Sequence, residues 1–261
     1  MKRGSKRNPV AAALVLVAIA GLVLACSDTI GDASSSPTSP PPPTAAPTST
    51  SNPSPSTVAT IAPTRTPGPW VLPDGPLVAH EYFSAPFGPP NEHLTFTFEV
   101  PEGWYGFQGG GLFPETGTEA PTGMGMGFGM IERLHSDPCK GKVNGVPVNG
   151  DVVVGPTVDD LVGALREQTA YQTSAPIDVE LGGYSGQKVS LQFPTEFDCE
   201  LDAFRPWEGS IHPQGHGDRW HLWILDVEGV CVLVLTLDYA ATPAEDRAEL
   251  QGILDSLRIT P

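Results

Sequence analysis

The sequence predicts an α+β domain, an antiparallel sheet with two main amphipathic helices packed on it. Three observations lead there. Alternating apolar and polar residues recur between positions 94 and 237, with the period of half-buried strands. Tight turn signals such as Glu228-Gly229 separate neighbouring runs, as antiparallel pairing allows. Only two segments, opening at Thr157 and Thr242, join a cap residue to apolar positions at helical spacing.

The domain does not begin at residue 1. All aromatic residues of the 261-residue chain lie from Trp70 onward, so the first quarter cannot build an ordinary packed core. Lys2, Arg3, Lys6 and Arg7 precede an uncharged apolar run from Val10 to Ala25. That run is shorter than the roughly 20 residues that span a bilayer comfortably. Residues 1–25 therefore read as a secretory signal. The tetrad Val23-Leu24-Ala25-Cys26 resembles the bacterial lipoprotein box, which implies cleavage before Cys26 and lipidation of its thiol. Residues 26–69 read as a disordered stalk, with 11 Pro and 18 Ser/Thr between positions 27 and 69. Such a composition buries too little apolar surface to offset ordering entropy. In polyproline II form it reaches up to roughly 130 Å.

Charge sets the partners. The formal net charge is −16, and removal of residues 1–25 takes away four basic residues and no acidic one, leaving −20. Nucleic acid is not expected as a partner, since phosphate contacts need clustered Lys and Arg. Anionic lipid would repel the chain as well, so the acyl groups must do the anchoring.

Residues 70–261 are expected to form one α+β domain. Leu94, Phe96, Phe98 and Val100 alternate with threonines and Glu99, and Pro101-Glu102-Gly103 turns the chain into Trp104. A second alternation from Gly123 to Ile131 places glycines on one side and Met124, Met126, Phe128 and Met130 on the other. Thr157 caps a helix, with Asp160 completing a near capping box and Leu161, Val162 and Leu165 on its face. Ile177 to Leu181 and Lys188 to Phe193 are strands. Trp220 to Val227 and Val230 to Leu237 form a hairpin, and the latter strand is apolar on both faces, hence central. Thr242 is read as a cap, Pro243 as the first helical residue and Glu245 as the box partner of a last helix bearing Leu250, Ile253, Leu254 and Leu257.

The strings VPEGW, GPTVDDLVGALREQ, LGGYSGQKVSLQFP, WILDVEG and TPAEDRAELQGILDSLRI occur in that order between residues 100 and 259. Together they resemble a domain of uncharacterised secreted lipoproteins from high-GC bacteria and, more distantly, the PsbP-like α/β sandwich, in which the final helix leads into a short strand. The resemblance implies an address and a fold and supplies no activity.

Beyond Cys26 three cysteines remain. An exported domain sits in an oxidising compartment, so one bridge and one spare thiol are expected. Cys139 and Cys199 lie in loop-like stretches, while Cys231 lies in the apolar run Val230-Cys231-Val232. The expected bridge is Cys139–Cys199, and the resemblance points the same way.

Four constellations were candidates for chemistry. His212, His216 and His221 fall within ten residues, with Asp218 among them, and these groups suit zinc or copper. The methionines at 124, 126 and 130 could hold copper(I), but the same alternation serves a core face. Trp207, Trp220 and Trp223 could line a ligand face. Gly183-Tyr184-Ser185-Gly186 is not a nucleophile elbow, and there is no phosphate loop, Cys-x-x-Cys or His-Glu-x-x-His. No catalytic residue and no cofactor is assigned. The leading expectation is a lipid-anchored, extracytoplasmic binding or accessory module of the cell envelope, with an envelope protein or a small ligand as partner. A metal-handling protein built on the histidine loop and an envelope enzyme of unassigned class are the alternatives.

Overall fold

The computed structural model describes residues 68–261. The signal segment, Cys26 and the stalk up to residue 67 lie outside the described residues. The principal elements are β1 (His80–Ser84), β2 (Thr95–Val100), β3 (Trp104–Phe107), β4 (Gly111–Pro114), β5 (Gly125–Gly129), α1 (Val158–Glu167), β6 (Ile177–Leu181), β7 (Tyr184–Gln192), β8 (Arg219–Val227), β9 (Val230–Asp238), α2 (Ala244–Asp255) and β10 (Arg258–Thr260). Among the described residues no helix is long and apolar enough to cross a membrane.

A nine-stranded sheet carries the order β7-β8-β9-β5-β4-β3 at its centre. Short strands extend both ends, Gln172–Thr173 beside β7 and Gly75–Pro76 beside β3, while β6 also pairs with β7. A second sheet runs β1-β2-β10, with Trp70–Val71 added parallel to β1. Strands β8 and β9 pair along their whole length, Arg219 opposite Asp238 through Val227 opposite Val230. Their two-residue turn puts Glu228 and Gly229 at φ 53° and 88°, which glycine adopts without steric cost. Asp226 Oδ1 accepts from the Gly229 N–H at 2.7 Å, fixing that turn.

The expected fold class is corrected here. The architecture is mainly β, a sandwich of two sheets, and its two main helices are only 10 and 12 residues long. The second sheet, rather than a helix alone, closes one face of the large one. Phe96 and Phe98 of β2 share a buried cluster with Trp223 and Leu225 of β8, Val232 and Val234 of β9, Trp104, and Leu250, Ile253 and Leu254 of α2. Phe96 stacks on Phe128 of β5 at 4.2 Å between ring centroids. The reason for the error is physical. Strands β1, β3, β4 and β10 hold three to five residues each, too few for a period of two to register, whereas capped helices stand out.

The opposite face of the large sheet has a separate cluster. Val189 and Leu191, Trp220, Leu222 and Ile224, and Leu233 and Leu237 pack there under Leu161, Val162 and Leu165 of α1 and under Phe193, Phe204 and Trp207. Strand β9 is thus apolar on both faces from Val230 to Leu235, where both faces are covered. Helix α1 carries the expected capping box. Thr157 Oγ1 accepts from the Asp160 N–H at 3.2 Å, and Asp160 Oδ2 accepts from the Thr157 N–H at 3.1 Å. Helix α2 departs from expectation. Pro243 is its N-cap residue, and Thr242 makes no cap bond.

Candidate functional site

The inner faces of β7, β8 and β9 are not uniformly apolar. Paired residues lie on the same side of a sheet, and three consecutive rows on the α2 side each carry polar side chains. They are Gln192–Arg219–Asp238, Ser190–His221–Thr236 and Lys188–Trp223–Val234. Helix α2 crosses above them with Arg247, Leu250, Gln251 and Leu254, whose spacing puts all four on one helical face. The result is a cleft of about 130 Å³, lined among others by Lys188, His221, Trp223, Asp238, Arg247 and Gln251.

Asp238 organises its floor. Arg219 donates to it in bidentate fashion, Nε to Oδ1 at 3.0 Å and Nη2 to Oδ2 at 2.9 Å. Arg247 Nε donates to Oδ2 at 2.6 Å, which ties α2 to the end of β9. Both guanidinium groups also donate to the Tyr239 carbonyl. Burial alone would raise the Asp238 pKa, but His221 and Arg247, donating hydrogen bonds, and the Arg219 charge hold it below the usual carboxylate value. Lys188 is placed differently. Its ammonium sits 4.2 Å from the centre of the Trp223 ring and, among the described residues, has no carboxylate at ion-pair distance. Burial lowers its pKa, and Asp238 partly offsets that.

His221 bridges Ser190 and Asp238. Its Nδ1 lies 2.8 Å from Ser190 Oγ, and its Nε2 lies 3.5 Å from Asp238 Oδ1. A hydroxyl, an imidazole and a carboxylate in series can carry nucleophilic catalysis. Here the carboxylate charge is already taken by two guanidinium groups, which weakens its support of an imidazolium. The Ser190 N–H, a natural oxyanion donor, is spent on Ser174 Oγ at 2.9 Å. The array acts as a brace across three strands.

The histidine loop does not converge. His221 points to the cleft. Asp218 is fully buried near the opposite cluster, its Oδ2 accepting from Trp220 Nε1 at 2.9 Å and from the Gln214 N–H at 3.0 Å. Burial pushes its carboxyl up to about 7. His216 packs against Phe197, and His212 lies near Arg205 and Asp202 with its pKa lowered by burial first and by Arg205 second. Among the described residues no three His, Cys, Asp or Glu side chains are placed to hold a metal ion.

The tryptophans divide in the same way. Trp207 and Trp220 meet edge to face at 5.3 Å in the outer core, while Trp223 lies on the other side of the sheet. They form no common ligand face. Met124 and Met126 are buried in the inner core, and Met130 takes a contact from Asn91 at its sulfur. The glycines of β5 have unequal roles. A Cβ on Gly125 would meet the Leu112 carbonyl at 2.9 Å, whereas nothing lies closer than 3.4 Å at Gly127.

Cys139 and Cys199 are joined, with 5.6 Å between their Cα atoms. The bridge links the turn Pro138–Lys140 to the irregular stretch before Leu201–Ala203. Cys231 is a half-buried free thiol, pushed up to about 11 mainly by burial. Cys26 lies outside the described residues.

Lys188, Ser190, Thr236, Asp238 and Arg247 were not among the candidates read from sequence. A signal existed. Lys188, Ser190 and Gln192 form the polar half of a strand whose other half is apolar, yet polar residues on a strand usually mean a solvated face. A larger open hollow of about 650 Å³ lies elsewhere, beside His80, Glu81, Glu99 and Glu249. Two of its acids are engaged, Glu81 by Arg258 and Glu249 by Trp104 Nε1.

No protein-family model matches the chain, and no curated protein sequence does. Among solved structures the chain is similar to the crystal structure of LpqN, which is involved in cell envelope biogenesis of Mycobacterium tuberculosis. The two share 14% identity over 72% of this chain and 91% of that one, with a TM-score of 0.31.

Proposed function

We propose that the chain is an exported, lipid-anchored binding module of the cell envelope, with its ligand held in the cleft between α2 and the large sheet. The Cys139–Cys199 bridge carries the reading. Disulfides persist in oxidising compartments, and this one sits behind a basic-apolar leader that ends at Cys26. In this reading residues 1–25 are removed, acyl groups on Cys26 enter the membrane, residues 26–69 are the spacer and residues 70–261 bind.

The test is mass spectrometry and fractionation of the full chain. Wild type is expected in the membrane fraction, with Cys26 heavier by a diacylglyceryl group and an acyl chain. Cys26→Ser is expected without that mass and released from the membrane. An unmodified Cys26 in the wild type would overturn the anchor.

A further inference from the structure

We infer that the cleft between α2 and the large sheet is a receptor site for the carboxylate of a small organic acid. The inference rests on the binding-module reading and names the ligand class of the same cleft.

Charge carries the argument. Residues 68–261 contain nine Lys and Arg against 28 Asp and Glu. Two of those nine, Lys188 and Arg247, line one cleft with a single carboxylate, Asp238, and a third, Arg219, pairs with that carboxylate from behind the lining. Counting Lys, Arg, Asp and Glu side chains alone, these four groups sum to +2 on a domain of net −19. A concave positive site on an acidic surface focuses its field on anions. Arg219 and Arg247 are anchored on Asp238 and on backbone carbonyls. Lys188 has no such partner, and its ammonium is held in place by the Trp223 ring. A preorganised, partly desolvated cation of this kind gives a strong charge-assisted bond to an incoming oxyanion. Arg247 adds its Nη1, which makes no hydrogen bond among the described residues.

The rest of the lining sets the class. Trp223, Leu250 and Leu254 offer an apolar wall beside the cations, suited to a short hydrocarbon body. A volume of about 130 Å³ equals about four water molecules at roughly 30 Å³ each, so the group received is small. Asp238 on the floor repels a phosphate dianion about twice as strongly as a carboxylate monoanion. An anionic membrane is a poor source, because the whole domain would be repelled by it.

The test is an equilibrium titration of the full lipid-bearing chain in neutral detergent, read by tryptophan fluorescence at constant ionic strength. The probes are propanoate, the neutral isostere propanamide and inorganic phosphate. Propanoate is expected to saturate the signal, with propanamide at least tenfold weaker. Trp223→Phe should abolish the response. Lys188→Gln should weaken propanoate about tenfold, the scale of a lost charge-assisted bond, and Lys188→Arg should restore most of it. Equal binding of propanamide, tighter binding of phosphate, or an unchanged response in Lys188→Gln would each overturn the inference. None of these outcomes bears on Cys26, so an unlipidated chain that binds propanoate and a lipidated chain that does not are separable results.

Discussion

The two faces of the large sheet are built from the same strands and closed in opposite ways. The inner face is covered by regular structure, a second sheet and α2, and its polar rows are bound into a network around Asp238. The outer face is apolar over most of β7, β8 and β9, with Gln187 of β7 donating to Asp159 of α1. It is covered by one short helix and by the irregular stretch from 193 to 218. Irregular chain has fewer internal backbone hydrogen bonds to hold it, so this cover depends on other ties. The Cys139–Cys199 bridge is one, and the contacts of Asp218 are another. The lesson is a division of labour. Regular packing stabilises the inner face and leaves room for a charged cleft, while the outer face is held by point fastenings.

The largest effect is expected from removing the bridge. It closes a separation of 60 residues, for which the chain-entropy model gives about 4 kcal/mol. Urea unfolding of the Cys139→Ser/Cys199→Ser variant should show a loss of that order. Hydrogen exchange should accelerate around 138–141 and 193–218 while β2 and α2 keep their protection. Equal loosening of both faces would break the distinction.

Asp218 gives an effect of similar size, with a sign that runs against the usual one for carboxylates. Its folded pKa of about 7 lies above the ordinary 3.8 because the group is buried. Between those values the native state holds a proton that the unfolded state releases. Stability contributed by this group is therefore full below about pH 4, declines as pH rises to about 7 and is flat above. The decline is of the order of 4 kcal/mol. Asp218→Asn keeps an acceptor for Trp220 Nε1 and removes the titration, so the wild-type minus variant stability should fall across that window. A pH-independent difference would show that Asp218 is ionised throughout.

How much of this was legible in the sequence follows the same division. The hairpin of β8 and β9, helix α1 and its box, and the apolar face of α2 are local patterns of eight or more residues, and each could be read directly. The second sheet was not, because β1 holds only five residues before it pairs with β2, as Phe83 does with Thr97, and β10 joins β2 from the far end of the chain, as Ile259 does with Phe96. The cleft was hidden for a related reason. Lys188, His221, Asp238 and Arg247 are spread over 60 positions, and only the strand register together with the crossing of α2 brings them together. Closeness in sequence misled in the opposite direction at His212, His216, Asp218 and His221, since a loop running into a strand sends its side chains to both faces.

The smallest effects separate two threonines that look equivalent in sequence. Thr157 and Thr242 each precede an apolar helical face with an acidic residue three positions on, Asp160 and Glu245. Thr157 is a true cap on an exposed helix end of the outer cover. Thr242 is buried on the inner side, where its Oγ1 accepts from the Tyr239 N–H at 2.9 Å and donates to the Gly123 carbonyl at 3.2 Å. Thr157→Ala removes a cap whose orphaned N–H can turn to water, at a cost of about 1 kcal/mol. Thr242→Ala leaves a buried donor and a buried acceptor without partners, and the desolvation penalty makes about 2 kcal/mol the expected loss. Ser at either position should recover most of the stability, because the hydroxyl and not the methyl does the bonding. If Thr157→Ala proves the costlier of the two in urea unfolding, Thr242 acts as a helix cap after all and the buried link between the end of β9 and Gly123 is not what holds that corner.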